Sequence, residues 1–238
     1  MLSFIIEFMT GGIDALSFMT MLCVLTFVTV CCLPVHECAH AWMADKLGDP
    51  TGRLSGRINL SPMVHLSLRG TIMLALFGFG YAKPVPVNIR NFKNRKLYFG
   101  LTALAGPVSN LIMAVIFIFV AVIISFVTQV AGSDSQQILN IAVKFFSNVG
   151  YYNVALAVFN MIPFPPLDGS RILTMILPDK IYYKLLAYEQ YMFYVLIGLL
   201  FLFSRLDFSP LSIITEFIYS AIGTAIVSIV SFFAGLFA

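Results

Sequence analysis

Val35-His36-Glu37-Cys38-Ala39-His40-Ala41 lies inside an apolar stretch and holds two of the chain's three histidines around one of its four glutamates. His36 and His40 are four residues apart, so an α-helix stacks them on one face, one turn apart. Two imidazoles placed in this way can grip one zinc ion, and Glu37 can reach a water bound to it. A histidine in an apolar helix is ordinarily a satisfied core residue, so the surroundings of the motif have to decide between the two readings.

The chain has 238 residues, of which 60% are hydrophobic and 11% charged, and it contains 23 Phe. Soluble domains carry roughly 25% charged residues. Apolar runs of 18 or more residues recur, each long enough to cross a hydrocarbon core of about 30 Å. The expected fold class is therefore a polytopic α-helical membrane protein in contact with the lipid bilayer, with no nucleic-acid partner and its oligomeric state left open. The net charge of +3 says little, because in membranes the distribution of Lys and Arg matters more than their sum. Cys23, Cys31, Cys32 and Cys38 lie along one helix, which suggests buried apolar thiols and not a disulfide framework. No cleavable signal is expected, because Met1 is followed by apolar residues, Glu7 and Asp14 without a basic leader.

Working outward, a long helix is expected from Ala15 to Ala44, uncharged except for Glu37, with Met1–Gly12 a short interfacial lead-in. His36 lies roughly 13 Å along that helix from Asp45, where charges resume. The motif is thus below one membrane surface, at a depth where an ionisable residue is functional by default. In Arg53–Leu60 polar residues alternate with apolar residues or Gly, a period of two that predicts a short strand and a small membrane-associated β element. Gly70–Ala82 is apolar but too short to cross comfortably, so it is expected to re-enter. Lys83–Asn88 is extended because proline excludes helix from the residue before it. Leu97–Val130 is expected to span, with polar Ala131–Gln137 as a loop and the segment to Ser147 along the surface. Asn148–Ile162 begins a third crossing, ended by Pro163, Pro165 and Pro166. Tyr188–Phe203 and Leu211–Ala238 bring the total to about five spanning helices.

If Gly70–Ala82 re-enters, only Lys144 and Arg205 of the 14 Lys and Arg residues fall on the far side. That asymmetry favours re-entry and a cytoplasmic basic face. The inner ends of the first and third crossings then carry His36, His40 and Asp168. A catalytic zinc normally takes three protein ligands and leaves a fourth position for water. Asp168 is a candidate third ligand, although an Asp-Gly turn is the commoner explanation for such a pair. Two neutral imidazoles, Asp168 and Glu37 would bring a dication to formal neutrality, as a low-dielectric site requires.

Four blocks occur in order: His36–His40, Gly78–Asn88, Ala105–Asn110 and Asn160–Gly169. Together they resemble the successive signatures of the site-2 protease family over residues 30–175, in its minimal prokaryotic form without PDZ or CBS domains. The resemblance implies a single transmembrane metalloprotease domain over 1–238, with one zinc held by His36, His40 and Asp168. It implies Glu37 as the general base and Asn160 as a residue that contacts substrate or oxyanion. It also implies a multi-pass protein of the cell (inner) membrane, its active site towards the cytoplasm, that cuts transmembrane protein substrates. One block departs from the family, in which Asn-Pro, then His, then Asp-Pro-Ile-Gly is common. Here Ser61-Pro62, His65 and Leu66-Ser67-Leu68-Arg69-Gly70 stand instead, which favours a structural His65. Trp42 reads as an interfacial or packing residue.

Chemically, zinc acidifies its water to a pKa of about 7, and Glu37 takes the proton and later passes it to the leaving amine. The substrate must be extended, since a helix hides its carbonyls in its own hydrogen bonds, and the expected strand would hold it by β-addition. A metal-transport or metal-binding membrane protein would gain nothing from Glu37. An inactive relative would usually have lost a ligand or the glutamate, and this chain has lost neither.

Overall fold

Asp14 opens the first long helix. Its backbone is extended, its Oδ1 accepts from the Ser17 amide at 2.7 Å, and its Oδ2 accepts from the Ser17 hydroxyl at 2.8 Å. A side-chain acceptor at this position satisfies a donor that the first helical turn leaves free. The computed structural model describes residues 7–67, 70, 82–130, 133–178, 188, 191–199 and 210–236, and among them it is helical with no sheet. Helix α1, Ala15–Lys46, is continuous over 32 residues. A π-helical turn at Val28–Cys32 interrupts its α-helical pitch immediately before Leu33–Lys46. Pro34 has no N–H to give the preceding turn, and its ring would crowd a carbonyl there, so a widened turn is the local solution.

Helix α2, Arg95–Val130, contains Pro107. Helix α3 is Ser133–Asn160, α4 is the short Asp168–Leu173, and α5 is Pro210–Leu236. Three helices among the described residues, Ala15–Lys46, Arg95–Thr128 and Pro210–Gly235, are long and apolar enough to cross a membrane. The third expected crossing lies within α3, which also takes in the stretch read as loop and surface segment. Residues 191–199 are helical, whereas the rest of Tyr188–Phe203, apart from 188, lies outside the described residues, as do 71–81 of the expected re-entrant segment.

Lipid tails are as apolar as leucine, so these helices gain by close packing and not by escape from water. One cluster joins α1, α2 and α3 through Val24, Val28, Cys32 and Val149, with Phe27, Phe117 and Phe145 around them. Another joins α2, α3 and α5 through Ala114, Ile118, Val154 and Ile226. Gly150 admits Ile118 at the second contact, where a β-carbon would come 2.7 Å from Ile118 Cγ1.

The Arg53–Leu60 stretch differs from its expectation. Thr51–Leu54 is one turn of helix, and Gly56 has φ +69, a conformation that glycine adopts without penalty. A strand backbone does not pass through such a residue, so the alternation here belongs to a turn. Arg57 leaves it to donate to the carbonyl of Val64 at 2.8 Å. The β pairing present among the described residues is an isolated bridge between Leu66 and Ala82.

Asp49 anchors the loops at this end. Fully buried, it accepts from Asn91 Nδ2 and the Asn88 amide, both at 2.7 Å, and from the Thr51 hydroxyl. It thereby ties the end of α1 to the extended segment that leads into α2. Burial pushes its carboxyl up, but the donors from Thr51, Asn91 and Asn88 outweigh this and hold it below its ordinary value of 3.8. A carboxyl depressed on folding contributes stability that is complete above its unfolded pKa and is lost as pH falls through the folded one. Asp49→Ala is expected to cost about 2–4 kcal/mol, since it strands buried donors. Asp49→Asn should flatten the loss of thermal midpoint below about pH 4 in detergent. A variant as stable and as acid-sensitive as the wild type would show that the tether is dispensable.

Candidate metal centre

The second half of α1 presents His36 and His40 one turn apart, as their spacing requires, and both are buried. Their rings are 4.6 Å apart and nearly perpendicular, at 88°. Nε2 of His40 is 3.0 Å from Nε2 of His36. Oδ2 of Asp168 is 3.3 Å from each of these nitrogens. Three side chains from two distant parts of the chain therefore converge on one point.

The convergence is arranged by backbone. The Thr102 carbonyl of α2 lies 2.8 Å from His40 Nδ1. A carbonyl only accepts, so the proton of a neutral ring is on Nδ1 and Nε2 offers a bare lone pair. Pro107 lies in the same stretch of α2 and withholds an N–H from the Ala103 carbonyl, the neighbour of Thr102. Gly106 lies directly under both rings. A β-carbon there would overlap Cε1 and Nε2 of His40 and sit 2.6 Å from Cε1 of His36. No other residue type leaves this space.

Asp168 arrives through a comparable close approach. After α3 ends, the chain folds back so that a β-carbon on Gly169 would overlap the Met161 carbonyl oxygen and lie 2.5 Å from that of Ile162. The Asp-Gly pair is thus needed on both counts, the carboxylate for the site and the glycine for the fold-back. Arg171 stacks over Phe99 at 5.4 Å, and Lys96 donates to the Leu177 carbonyl at 2.8 Å. These contacts fix α4 and the turn after it against the start of α2.

Three acceptor atoms facing one another, buried and 3.0–3.3 Å apart, repel unless a cation lies among them. The edge of a tetrahedron around a zinc bound to nitrogen and oxygen at about 2.0–2.2 Å is roughly 3.3–3.6 Å. The group therefore fits zinc in donor chemistry and spacing. His36, His40 and Asp168 are also the one set of metal-ligating side chains so grouped among the described residues.

The other residues singled out by the sequence are placed less decisively. Glu37 is half-buried beside His36 on α1 and has no hydrogen-bond partner among the described residues. Asn160 ends α3 and donates back to the Leu156 carbonyl at 3.0 Å. His65 is fully buried, with Nε2 2.6 Å from the Asn59 carbonyl, and its own carbonyl accepts from the Lys83 amide at 2.6 Å. It joins loops, and it does not belong to the metal group. Trp42 is half exposed, with the Lys46 ammonium 5.9 Å from its ring centre. A cavity of about 330 Å³ lined by Asp14, Thr20, Lys144 and Asn148 opens at the opposite end of α1, away from the metal group. Sequence reading missed the roles of Thr102 and Gly106. A backbone carbonyl leaves no trace in the sequence, but glycine before proline inside a helix was a visible sign of close approach.

Two buried histidines on a membrane-length helix and a carboxylate at the start of α4, with a glutamate next to the first histidine, have the donor set of a zinc hydrolase. The chain belongs to peptidase family M50, the site-2 protease family, whose sequence pattern matches residues 24–204. It is a zinc metalloprotease. Two curated relatives bear the name "Putative zinc metalloprotease". YwhC of Bacillus subtilis (strain 168) is 40% identical over 166 residues, which cover 69% of this chain and 74% of that protein. Rip2 of Mycolicibacterium smegmatis (strain ATCC 700084 / mc(2)155) is 26% identical over 173 residues, which cover 71% of this chain and 62% of that protein. No solved structure gives a match.

Gly106→Ala is expected to reduce bound zinc well below one per chain, because the new methyl must displace both imidazole rings. Helical circular dichroism should persist, since alanine is a good helix former. A zinc content of one per chain in this variant would mean that the rings have room to move.

Proposed function

We propose that the chain is an intramembrane protease that hydrolyses peptide bonds in or near the transmembrane segments of other membrane proteins. The observation that supports this most directly is the buried group in which His36 and His40, beside Glu37 on a helix of membrane-spanning length, meet Asp168 at the start of α4. These three residues hold a single zinc ion, which when bound supplies a Lewis acid and an acidified water. Glu37 takes the proton of the attacking water and delivers it to the leaving amine. Being half-buried and without a hydrogen-bond partner among the described residues, it keeps a lone pair for that transfer. Asn160, at the open end of α3, contacts the substrate carbonyl and stabilises the oxyanion. The peptide enters in extended form, since a helical carbonyl is already bonded.

The domain covers 1–238 and crosses the cell membrane about five times, with Gly70–Ala82 re-entering. The metal group lies near the Lys46 end of α1, the end that also carries Arg53, Arg57, Arg90, Lys93, Arg95 and Lys96, whereas Lys144 lines the cavity at the other end. By the distribution of basic residues, that end is cytoplasmic.

His36→Ala, His40→Ala and Asp168→Ala are each expected to lower zinc well below one per chain by elemental analysis. Glu37→Gln should retain it while cleavage of a reconstituted transmembrane substrate falls by about a hundredfold or more. Full zinc in Asp168→Ala would remove Asp168 from the ligand set, and wild-type cleavage by Glu37→Gln would remove the base. Topology is tested separately. Single cysteines placed near Asp49 and in the Arg90–Lys96 segment should both be labelled only from the cytoplasmic face. Labelling from opposite faces would make Gly70–Ala82 a full crossing.

A further inference from the structure

His40 and His36 are supported unequally. The Nδ1 of His40 has the Thr102 carbonyl to orient it. The Nδ1 of His36 is buried and has no partner. A ligating imidazole almost always gives its second N–H to an acceptor, which fixes tautomer and ring angle. Something must play for His36 the part that Thr102 plays for His40.

Two other buried side chains, Asn110 and Asn153, also carry unpaired polar atoms. Asn110 is fully buried, and both its Oδ1 and its Nδ2 are unpaired. A buried primary amide with no hydrogen bond costs on the order of 1–3 kcal/mol by mutational measures, so it is not a neutral packing choice. Asn153 is equally buried. Its Nδ2 donates to Cys32 Sγ at 3.3 Å, but its Oδ1 is unpaired.

Helix geometry places these groups together. His40 meets Thr102, and both rings lie on Gly106. Moving from Thr102 to Gly106 along α2 passes from His40 towards His36. The next turn on the same face carries Asn110, its β-carbon about 6 Å beyond position 106. A β-carbon at position 106 would be 2.6 Å from His36 Cε1, the ring atom between Nδ1 and Nε2. One water with two hydrogen bonds of about 2.8 Å at a near-tetrahedral angle bridges groups about 4.6 Å apart. Cys32, the anchor of Asn153, precedes His36 by one turn on the same face of α1.

We propose that Asn110, together with the Asn153 carbonyl oxygen, holds a buried water that accepts the Nδ1 hydrogen of His36, and that Asn110 is thereby a positioning residue for the metal centre. A buried water is retained where two to four polar partners surround it, and these three groups supply them. The inference rests on His36 being a zinc ligand, as proposed above.

The test uses the full-length, detergent-solubilised chain and reads three quantities. These are zinc affinity by competition with a chromophoric chelator, the thermal midpoint of the metal-free protein, and the visible absorption of the cobalt(II) form. Asn110→Leu keeps the volume and removes both stranded polar atoms. Its metal-free midpoint should equal or exceed that of the wild type. Its zinc affinity should fall by about 10- to 100-fold, the usual cost of losing an outer-shell partner, and the cobalt bands should shift. Asn110→Ser, whose hydroxyl can still bind the water, should recover most of the affinity. Unchanged zinc affinity in Asn110→Leu would overturn the proposal. So would an affinity loss matched by a drop in the metal-free midpoint that Asn110→Ser does not relieve, since that is the behaviour of a packing residue. If His36→Ala binds zinc as tightly as wild type, the ligand assignment of His36 itself falls, and this inference falls with it.

Discussion

Three lone pairs are held 3.0–3.3 Å apart in a buried site, and most of what surrounds them exists to make that arrangement tolerable. In water such a cluster would be solvated and of little consequence. Inside packed helices the repulsion is barely screened, and only a cation at the focus removes it. The Thr102 carbonyl directs the His40 lone pair inward, Gly106 clears the floor, and the fold-back at Gly169 brings Asp168 into range. Each of these is a backbone feature, so side chains supply the donor atoms while main chain decides where they meet.

The same economy governs the rest of the fold. Helices in lipid cannot rely on the hydrophobic effect to associate, so contact quality replaces buried area as the source of cohesion. Glycine recurs at the closest approaches: Gly106 under the imidazoles, Gly150 against Ile118, Gly169 against two carbonyls, and Gly100 against Met175. The polar contacts outside the site have the complementary task. Asp49 with Asn88, Asn91 and Thr51, together with His65 with Asn59 and Lys83, gather the loops around the Lys46 end of α1.

Much was legible in the sequence. The His36–His40 spacing, the neighbouring Glu37, the length of the apolar runs and the Asp168-Gly169 pair all followed from local chemistry. The failure at Arg53–Leu60 is instructive. Alternation over eight residues satisfies the period of a strand, but Gly56 with positive φ makes a turn of the same letters. Period alone cannot distinguish a pleat from a helical turn followed by a reversal when the stretch is this short. The loop expected before Asn148 is likewise part of α3, because a polar face does not prevent a helix when packing against α1 and α2 supports it.

The sequence by itself determined the membrane class and singled out the candidate ligands and a candidate base, because composition and helical spacing are local properties that any fold must respect. Only the tertiary structure decided that His36, His40 and Asp168 share one point, although 128 residues separate His40 from Asp168. It also decided which backbone carbonyl orients which imidazole, and which buried polar atoms are left unpaired. The physical reason is the same in each case. Distances between helices are set by how small residues let them approach, and that information belongs to pairs of helices, not to any one stretch of chain.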